Sequence, residues 1–120
     1  MVAGLDVSHW DEKINWSLVR RSGREFAFCK CSEYTADKTY KINKVGAKAA
    51  GLLFGAYHFF HPSRDARAQA DLFLRLADLQ PGELHPVLDW ESNDSGVSRA
   101  QAVSRAQIWL DTVERACGKT

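Results

Sequence analysis

Two carboxylates one residue apart close the run His85-Pro86-Val87-Leu88-Asp89-Trp90-Glu91. An apolar run entered through a proline and followed by Ser92-Asn93-Asp94-Ser95-Gly96 reads as a short buried strand ending in a loop. Side chains alternate across a strand, so Asp89 and Glu91 would share a face, roughly 6–7 Å apart. Like charges that close raise the proton affinity of one of the two, which suits a pair that divides acid and base work. A polar strand end whose acids meet Lys or Arg gives the same short pattern, so the pair must be weighed with the rest of the chain.

Three more residues of the right type fall at comparable places. Asp6 lies near the end of a strand pattern in Gly4-Leu5-Asp6-Val7-Ser8-His9-Trp10. Glu33 closes Phe26-Ala27-Phe28-Cys29-Lys30-Cys31-Ser32-Glu33, and Tyr57 lies in the nearly continuous apolar run Leu52–Phe60. By alternation Glu33 shares a face with Cys29 and Cys31. Phe26 and Phe28 are then expected on the helix-covered side, which leaves the small-residue face for the acid. Four carboxylates on one rim have three readings. Oxygen ligands suit Mg²⁺ or Ca²⁺. Paired acids suit glycoside hydrolysis. Structural acids would pair with Lys30, Lys38 and the arginines. Trp10, Tyr34, Tyr57, Phe59 and Trp90 favour the sugar reading, because pyranose faces stack on aromatic rings.

The elements that would position these residues alternate four times between strand and helix. A helix over Asn15–Gly23 has Asn15 as N-cap and Gly23 as stop. A second over Tyr40–Ala50 is closed by Gly51, with small residues Gly46, Ala47 and Ala50 on one side. A third runs from about Asp65 to Leu79, capped by Ser63, with Ala68, Leu72, Phe73, Leu76 and Leu79 as its apolar stripe. The last spans Ser98–Ala116, with a capping box from Ser98 to Gln101 and a stripe of Val103, Ala106, Leu110, Val113 and Cys117, stopped by Gly118. Strand–helix alternation argues for an α/β fold with parallel strands and right-handed crossovers. In such sheets working residues gather at the C-terminal ends of strands. Asp6, Glu33, Tyr57, Asp89 and Glu91 all sit at or near such ends.

The 120 residues make one domain, 1–120, large enough to bury about two thirds of its unfolded surface. A net charge of +1 argues against nucleic acid as a partner. No apolar run is long enough to span a membrane, and the N-terminus lacks a signal-peptide pattern. Cys29 and Cys31, side by side on one strand, are badly placed for a mutual disulfide, and no zinc-like spacing surrounds them. All three cysteines read as core or semi-buried thiols. His9 and His58 read as core or hydrogen-bonded histidines, His61 and His85 as loop residues without a named partner, and Trp109 as a cover for the sheet or an interface residue.

Four stretches, Gly4–Trp10, Phe26–Glu33, Gly55–Pro62 and Pro86–Glu91, resemble in order the successive strand motifs of glycoside hydrolase family 25, the Chalaropsis-type lysozymes or N-acetylmuramidases. Gln69-Ala70-Asp71-Leu72-Phe73-Leu74 resembles that family's third helix. The resemblance implies a peptidoglycan hydrolase that cleaves the β-1,4 bond between N-acetylmuramic acid and N-acetylglucosamine without metal or other cofactor. It implies Glu91 as general acid, with Asp89 orienting the substrate's acetamido group or stabilising charge, and Asp6 in support. It implies Glu33, Tyr57 and Trp90 as substrate-binding residues. Trp90 stands where the family often has a smaller apolar residue, and Cys29 and Cys31 would make an unusual barrel lining.

A TIM-type barrel has eight strands. The resemblance covers its first four β/α units, so the expected architecture is an N-terminal half-barrel, whose second half would come from a second copy, from a complementary second-half chain or from the rest of a longer chain of which this is a piece. The implied partner is a peptidoglycan glycan strand, with no nucleic acid and no membrane insertion. The implied location is the cell wall, reached as an extracellular enzyme or a phage lysin. The alternative is a catalytically incomplete half-barrel that binds peptidoglycan or pairs with another chain.

Overall fold

The computed structural model describes residues 1–92 and 96–118, so Asn93, Asp94 and Ser95 of the expected loop lie outside it. Its elements alternate as β1 (Ala3–Val7), α1 (Trp16–Arg21), β2 (Arg24–Ser32), α2 (Tyr40–Ala49), β3 (Leu53–Phe59), α3 (Ala66–Ala77), β4 (Val87–Asp89) and α4 (Arg99–Cys117). The strands pair in parallel in the order β1-β2-β3-β4. The α/β architecture with four parallel strands therefore stands as expected.

Local chemistry sets the helix ends. Asn15 Oδ1 accepts the Leu18 N–H at 3.1 Å, and Gly23 takes the positive φ of 97° that lets the chain turn back into β2. Ser98 and Gln101 form the reciprocal capping box that opens α4. The cap of α3 is Asp65, which accepts from Ala68 N–H at 2.9 Å, and not Ser63 two residues earlier. That helix stops at Ala77, short of Leu79, because Asp78 adopts a left-handed φ of 48°. Tyr40 Oη and Lys44 Nζ donate to the Ala77 carbonyl at 2.6 and 3.0 Å, satisfying a group that the helix end leaves open.

Register decides which residues share a face. Asp6 pairs with Phe28 and Phe28 with Gly55, while Lys30 pairs with Tyr57, Tyr57 with Val87, and Phe59 with Asp89. These residues occupy one side of the sheet. Ala27, Cys29, Cys31, Phe54 and Ala56 occupy the other, in one core with Tyr40, Ala47, Phe73, Trp109 and Val113 from the helices. The expected orientation of β2 is thus reversed. The cysteines lie under the helices, and Phe26 and Phe28 lie on the open face. The helices supply the bulk (Tyr40, Phe73, Trp109), so the strand side of that interface is made of small residues. On the open face the rings need room: a Cβ at Gly4 would come within 2.2 Å of the Phe26 ring, and one at Gly55 within 2.4 Å of Phe28.

Helix stripes shift in the same way. α4 buries Ala102, Ala106, Trp109 and Val113 and leaves Val103 exposed. α3 buries Ala66, Gln69, Ala70, Phe73 and Ala77 and leaves Ala68 exposed. Trp109 covers the sheet, stacked on His58 with ring centroids 5.9 Å apart. The three cysteines are free, and burial pushes the Cys29 and Cys31 thiols up to about 12.

Candidate active site

The expected strand over residues 85–91 is shorter than its apolar run. Pro86 contributes no N–H, and β4 covers only Val87–Asp89. Trp90 and Glu91 have left the sheet, so strand spacing no longer separates the two acids, and the Glu91 carboxyl comes within hydrogen-bonding reach of Asp89. The Asp89 backbone is fixed by its carbonyl, which accepts from Phe60 N–H at 2.8 Å.

A hollow of about 350 Å³ opens on the uncovered face of the sheet. Asp6 from β1, Tyr57 from β3 and Asp89, Trp90 and Glu91 from β4 and beyond line it, with Phe28 as its floor. Tyr57 is buried, and its hydroxyl donates to the Val7 carbonyl at 3.4 Å. Burial, then the charges of Asp6 and Asp89, pushes the Tyr57 phenol well above its usual range, so it stays a neutral donor. Trp90 is half exposed, its indole N–H donating to the Ser92 carbonyl at 3.1 Å and its ring edge-on to Phe60.

The electrostatics centre on Asp89. Partial burial raises its carboxyl first, then the hydrogen bond with Glu91, then the charges of Glu91 and Asp6, while Lys30 pulls the other way. The outcome is an acid pushed up to about 7. Because the two carboxyls interact this strongly, the proton belongs to the pair. Near neutral pH the hollow therefore holds a carboxyl poised to give or take a proton.

Glu33 stands apart from this hollow. It lies just past β2, in contact with Lys30, and receives His61 Nε2 at 2.6 Å. Burial would raise its carboxyl, but the bonds and charges of Lys30 and His61 outweigh burial and hold it below the usual range. Pairing of this acid with Lys30 is the structural alternative weighed for the carboxylates, and it applies to Glu33. His61, read as a loop residue without a named partner, meets Glu33 and also the Tyr34 hydroxyl at 3.0 Å, with its ring stacked on Tyr34.

With this geometry in view, the chain can be set beside known proteins. The family model for "Glycosyl hydrolases family 25" matches residues 5–120. That decides the assignment. The chain belongs to glycosyl hydrolase family 25. It is 42% identical to Lysozyme M1 of Streptomyces globisporus over 117 residues, covering 92% of this chain and 40% of that protein. It is 38% identical to Uncharacterized protein YegX of Escherichia coli (strain K12), covering 98% of this chain and 46% of that one. Among solved structures, a family 25 glycosyl hydrolase from Bacillus anthracis superposes with a TM-score of 0.92 at 26% identity, covering 98% of this chain and 57% of that one. The chain thus spans about half the length of the relatives it matches.

Of the residues expected in a family 25 site, the fold brings together Asp6, Tyr57, Asp89, Trp90 and Glu91 and leaves Glu33 outside. Sequence reasoning missed the polar chain beneath them. Ser32 Oγ meets His58 Nδ1 at 2.8 Å, His58 Nε2 meets Gln69 Oε1 at 2.9 Å, and Gln69 Oε1 also accepts the His61 backbone N–H at 3.0 Å. The available signals were a lysine in the middle of an apolar strand and a glutamine on the buried stripe of α3.

Proposed function

We propose that this chain carries the acid–base half of a peptidoglycan muramidase. The observation that carries the reading is the Asp89–Glu91 pair, which retains one proton up to about pH 7 in a hollow shared with Asp6 and Tyr57. Glu91 is the more exposed of the two acids; it takes the pair's proton from Asp89 along their hydrogen bond, leaving Asp89 ionised, and presents it to a bound glycan. As the bond from C1 of N-acetylmuramic acid to the bridging oxygen breaks, its electron pair goes to that oxygen, which takes the Glu91 proton. Positive charge developing at C1 is met by ionised Asp89, which either faces it directly or orients the substrate's acetamido group. Water then supplies the hydroxyl at C1 and returns a proton to the pair. Asp6 adds negative charge, the Tyr57 hydroxyl, its proton on the Val7 carbonyl, accepts a hydrogen bond from sugar, and Trp90 gives a face on which a pyranose can stack. Names among the relatives, Lysozyme M1 and the N,O-diacetylmuramidase of Chalaropsis, support the substrate class. The site of action is then the cell wall.

The sheet supports a second element of the reading. Its open face carries Phe26, Phe28, Leu53 and Val87, of which Leu53 is 55% exposed. Such side chains fill the interior of a β/α barrel. We read the four β/α units as the first half of a TIM-type barrel, which further strands, from the same chain, a second copy or a complementary chain, would close along the edges of β1 and β4. The alternative, a half-barrel that binds peptidoglycan without cutting it, draws on the same open face.

The test is clearing of a peptidoglycan suspension by the purified chain beside Glu91→Gln, with solution mass measured on the same preparation. Clearing by a dimer that disappears in the variant supports both elements. A monomer that pulls down with peptidoglycan and clears nothing favours the binding alternative.

A further inference from the structure

Lys30 is 5% exposed near the C-terminal end of β2, where an ammonium costs several kcal/mol unless it is paired. Its partner is Glu33, and that carboxylate is itself immobilised. Its second oxygen takes His61 Nε2, and Gln69 grips the His61 backbone at both ends, accepting from its N–H and donating to its carbonyl, each at 3.0 Å. The far end of the arrangement points at the acid hollow. Lys30 Nζ lies 5.1 Å from the centre of the Phe59 ring, and Phe59 is the register partner of Asp89. The ammonium thus touches Glu33 on one side and the Phe59 ring on the other, and Phe59 is all that separates it in register from Asp89, whose carboxyl its charge lowers.

We propose that Lys30 is a positioning residue of the acid hollow: clamped by Glu33 and His61, its ammonium is the fixed positive charge that sets how the Asp89–Glu91 pair shares its proton. The inference deepens the acid–base reading of that pair and rests on it. The charged and titratable groups around Lys30 are Glu33 just past its own strand, His61 on the far oxygen of Glu33, Tyr57 opposite it in register on β3 and, past Phe59, Asp89 at the end of β4. His9 and Asp37 line the same hollow as Lys30 and Glu33. Asp37 is already engaged by His9 Nδ1 at 2.8 Å and by the Thr39 backbone and hydroxyl. Glu33 is the anion in direct contact with Lys30, and it offsets part of the field that Lys30 exerts on Asp89.

This placement gives two substitutions opposite effects. Removing the cation takes away the positive charge that lowers Asp89 and leaves the charge of Glu33 uncompensated. Removing the charge of Glu33 leaves the cation uncompensated. A side chain that merely packs would not produce that reversal.

The experiment follows the carbon shift of the Asp89 carboxyl against pH in the 120-residue chain by NMR. Wild type is compared with Lys30→Met, Lys30→Arg and Glu33→Gln. The Asp89 midpoint should rise by about half a unit or more in Lys30→Met, fall by a similar amount in Glu33→Gln, and stay near wild type in Lys30→Arg. Midpoints that move together in Lys30→Met and Glu33→Gln, or that do not move, overturn the proposal. If Lys30→Met does not fold, Glu33→Gln decides alone, and an unchanged or raised midpoint overturns it. A chain that titrates as expected yet cuts no peptidoglycan upholds the role of Lys30 and contradicts the muramidase reading instead.

Discussion

Glu91 reaches the carboxyl of Asp89 only because β4 ends at Asp89 and the backbone beyond it has left the sheet. A strand carried on to Glu91 would hold the two acids at the fixed spacing of alternate residues. The short strand converts two neighbours on a face into a proton-sharing pair, and that pair affects stability as well as chemistry.

Asp89 binds its proton more tightly in the folded chain, at about 7, than in the unfolded chain, at 3.8. Its ionisation therefore costs the fold stability as pH rises between those values. Asp89→Asn removes that cost. Thermal melts should show the variant more stable than wild type at pH 8 by about 1 kcal/mol or less, because solvent screens this partly exposed site. The difference should shrink toward pH 4. A variant less stable than wild type at pH 8 would contradict the assignment.

His58 acts in the opposite direction over the same range. Burial beneath Trp109 and Phe73 lowers it from 6.5 to about 4, and it bonds in the neutral form to Ser32 and Gln69. The unfolded chain takes up that proton first, so stability contributed by neutral His58 is present above pH 6.5 and is lost as pH falls toward 4. The loss is on the order of 3 kcal/mol. Denaturant titrations of Asp89→Asn at pH 7 and pH 4.5 isolate this slope from that of Asp89. Gln69→Leu, which deprives His58 of its Nε2 partner, should cost about 1–3 kcal/mol at pH 7.

The alternation of apolar and polar residues made the parallel α/β order legible, together with the convergence of Asp6, Tyr57, Asp89 and Glu91. It could not say which face of β2 the helices cover. Period-two spacing groups Cys29 with Cys31 and Phe26 with Phe28, but the choice between the groups depends on the bulk that Tyr40, Phe73 and Trp109 bring from far along the chain. The partners of Glu33 were not legible because β2 ends at Ser32, and beyond a strand alternation carries no information. His61 and Gln69 find their partners 28 and 11 residues away, at Glu33 and His58, contacts that no local pattern encodes. Ser63 lost the α3 cap to Asp65, which offers the same chemistry two residues later.

Trp109 is fully buried, and its indole N–H has no hydrogen-bond partner among the described residues. Its contribution is packing against His58 and Phe73. Trp109→Ala should cost about 3–5 kcal/mol in chemical denaturation. Trp109→Phe should cost clearly less, since no hydrogen bond is lost with the indole. Equal losses in the two variants would mean that the N–H matters more than the ring.

Cys29 and Cys31 have no exposed surface and hold their protons to about 12, so neither supplies a thiolate at neutral pH. Titration of the folded chain with a disulfide reagent at pH 8 should modify at most the half-buried Cys117, and denaturation should release all three thiols. Rapid modification of two or more in the folded chain would place the cysteines on the open face instead.

The central claim is that Glu91 donates the proton that breaks the bond after N-acetylmuramic acid. The most direct measurement digests purified peptidoglycan with the chain, reduces the new sugar ends with borohydride and identifies them by mass spectrometry, beside Glu91→Gln. The account predicts new ends of reduced N-acetylmuramic acid from the wild-type chain and a loss of at least about 100-fold in the variant. No new ends, ends of reduced N-acetylglucosamine, or equal cutting by Glu91→Gln would contradict it.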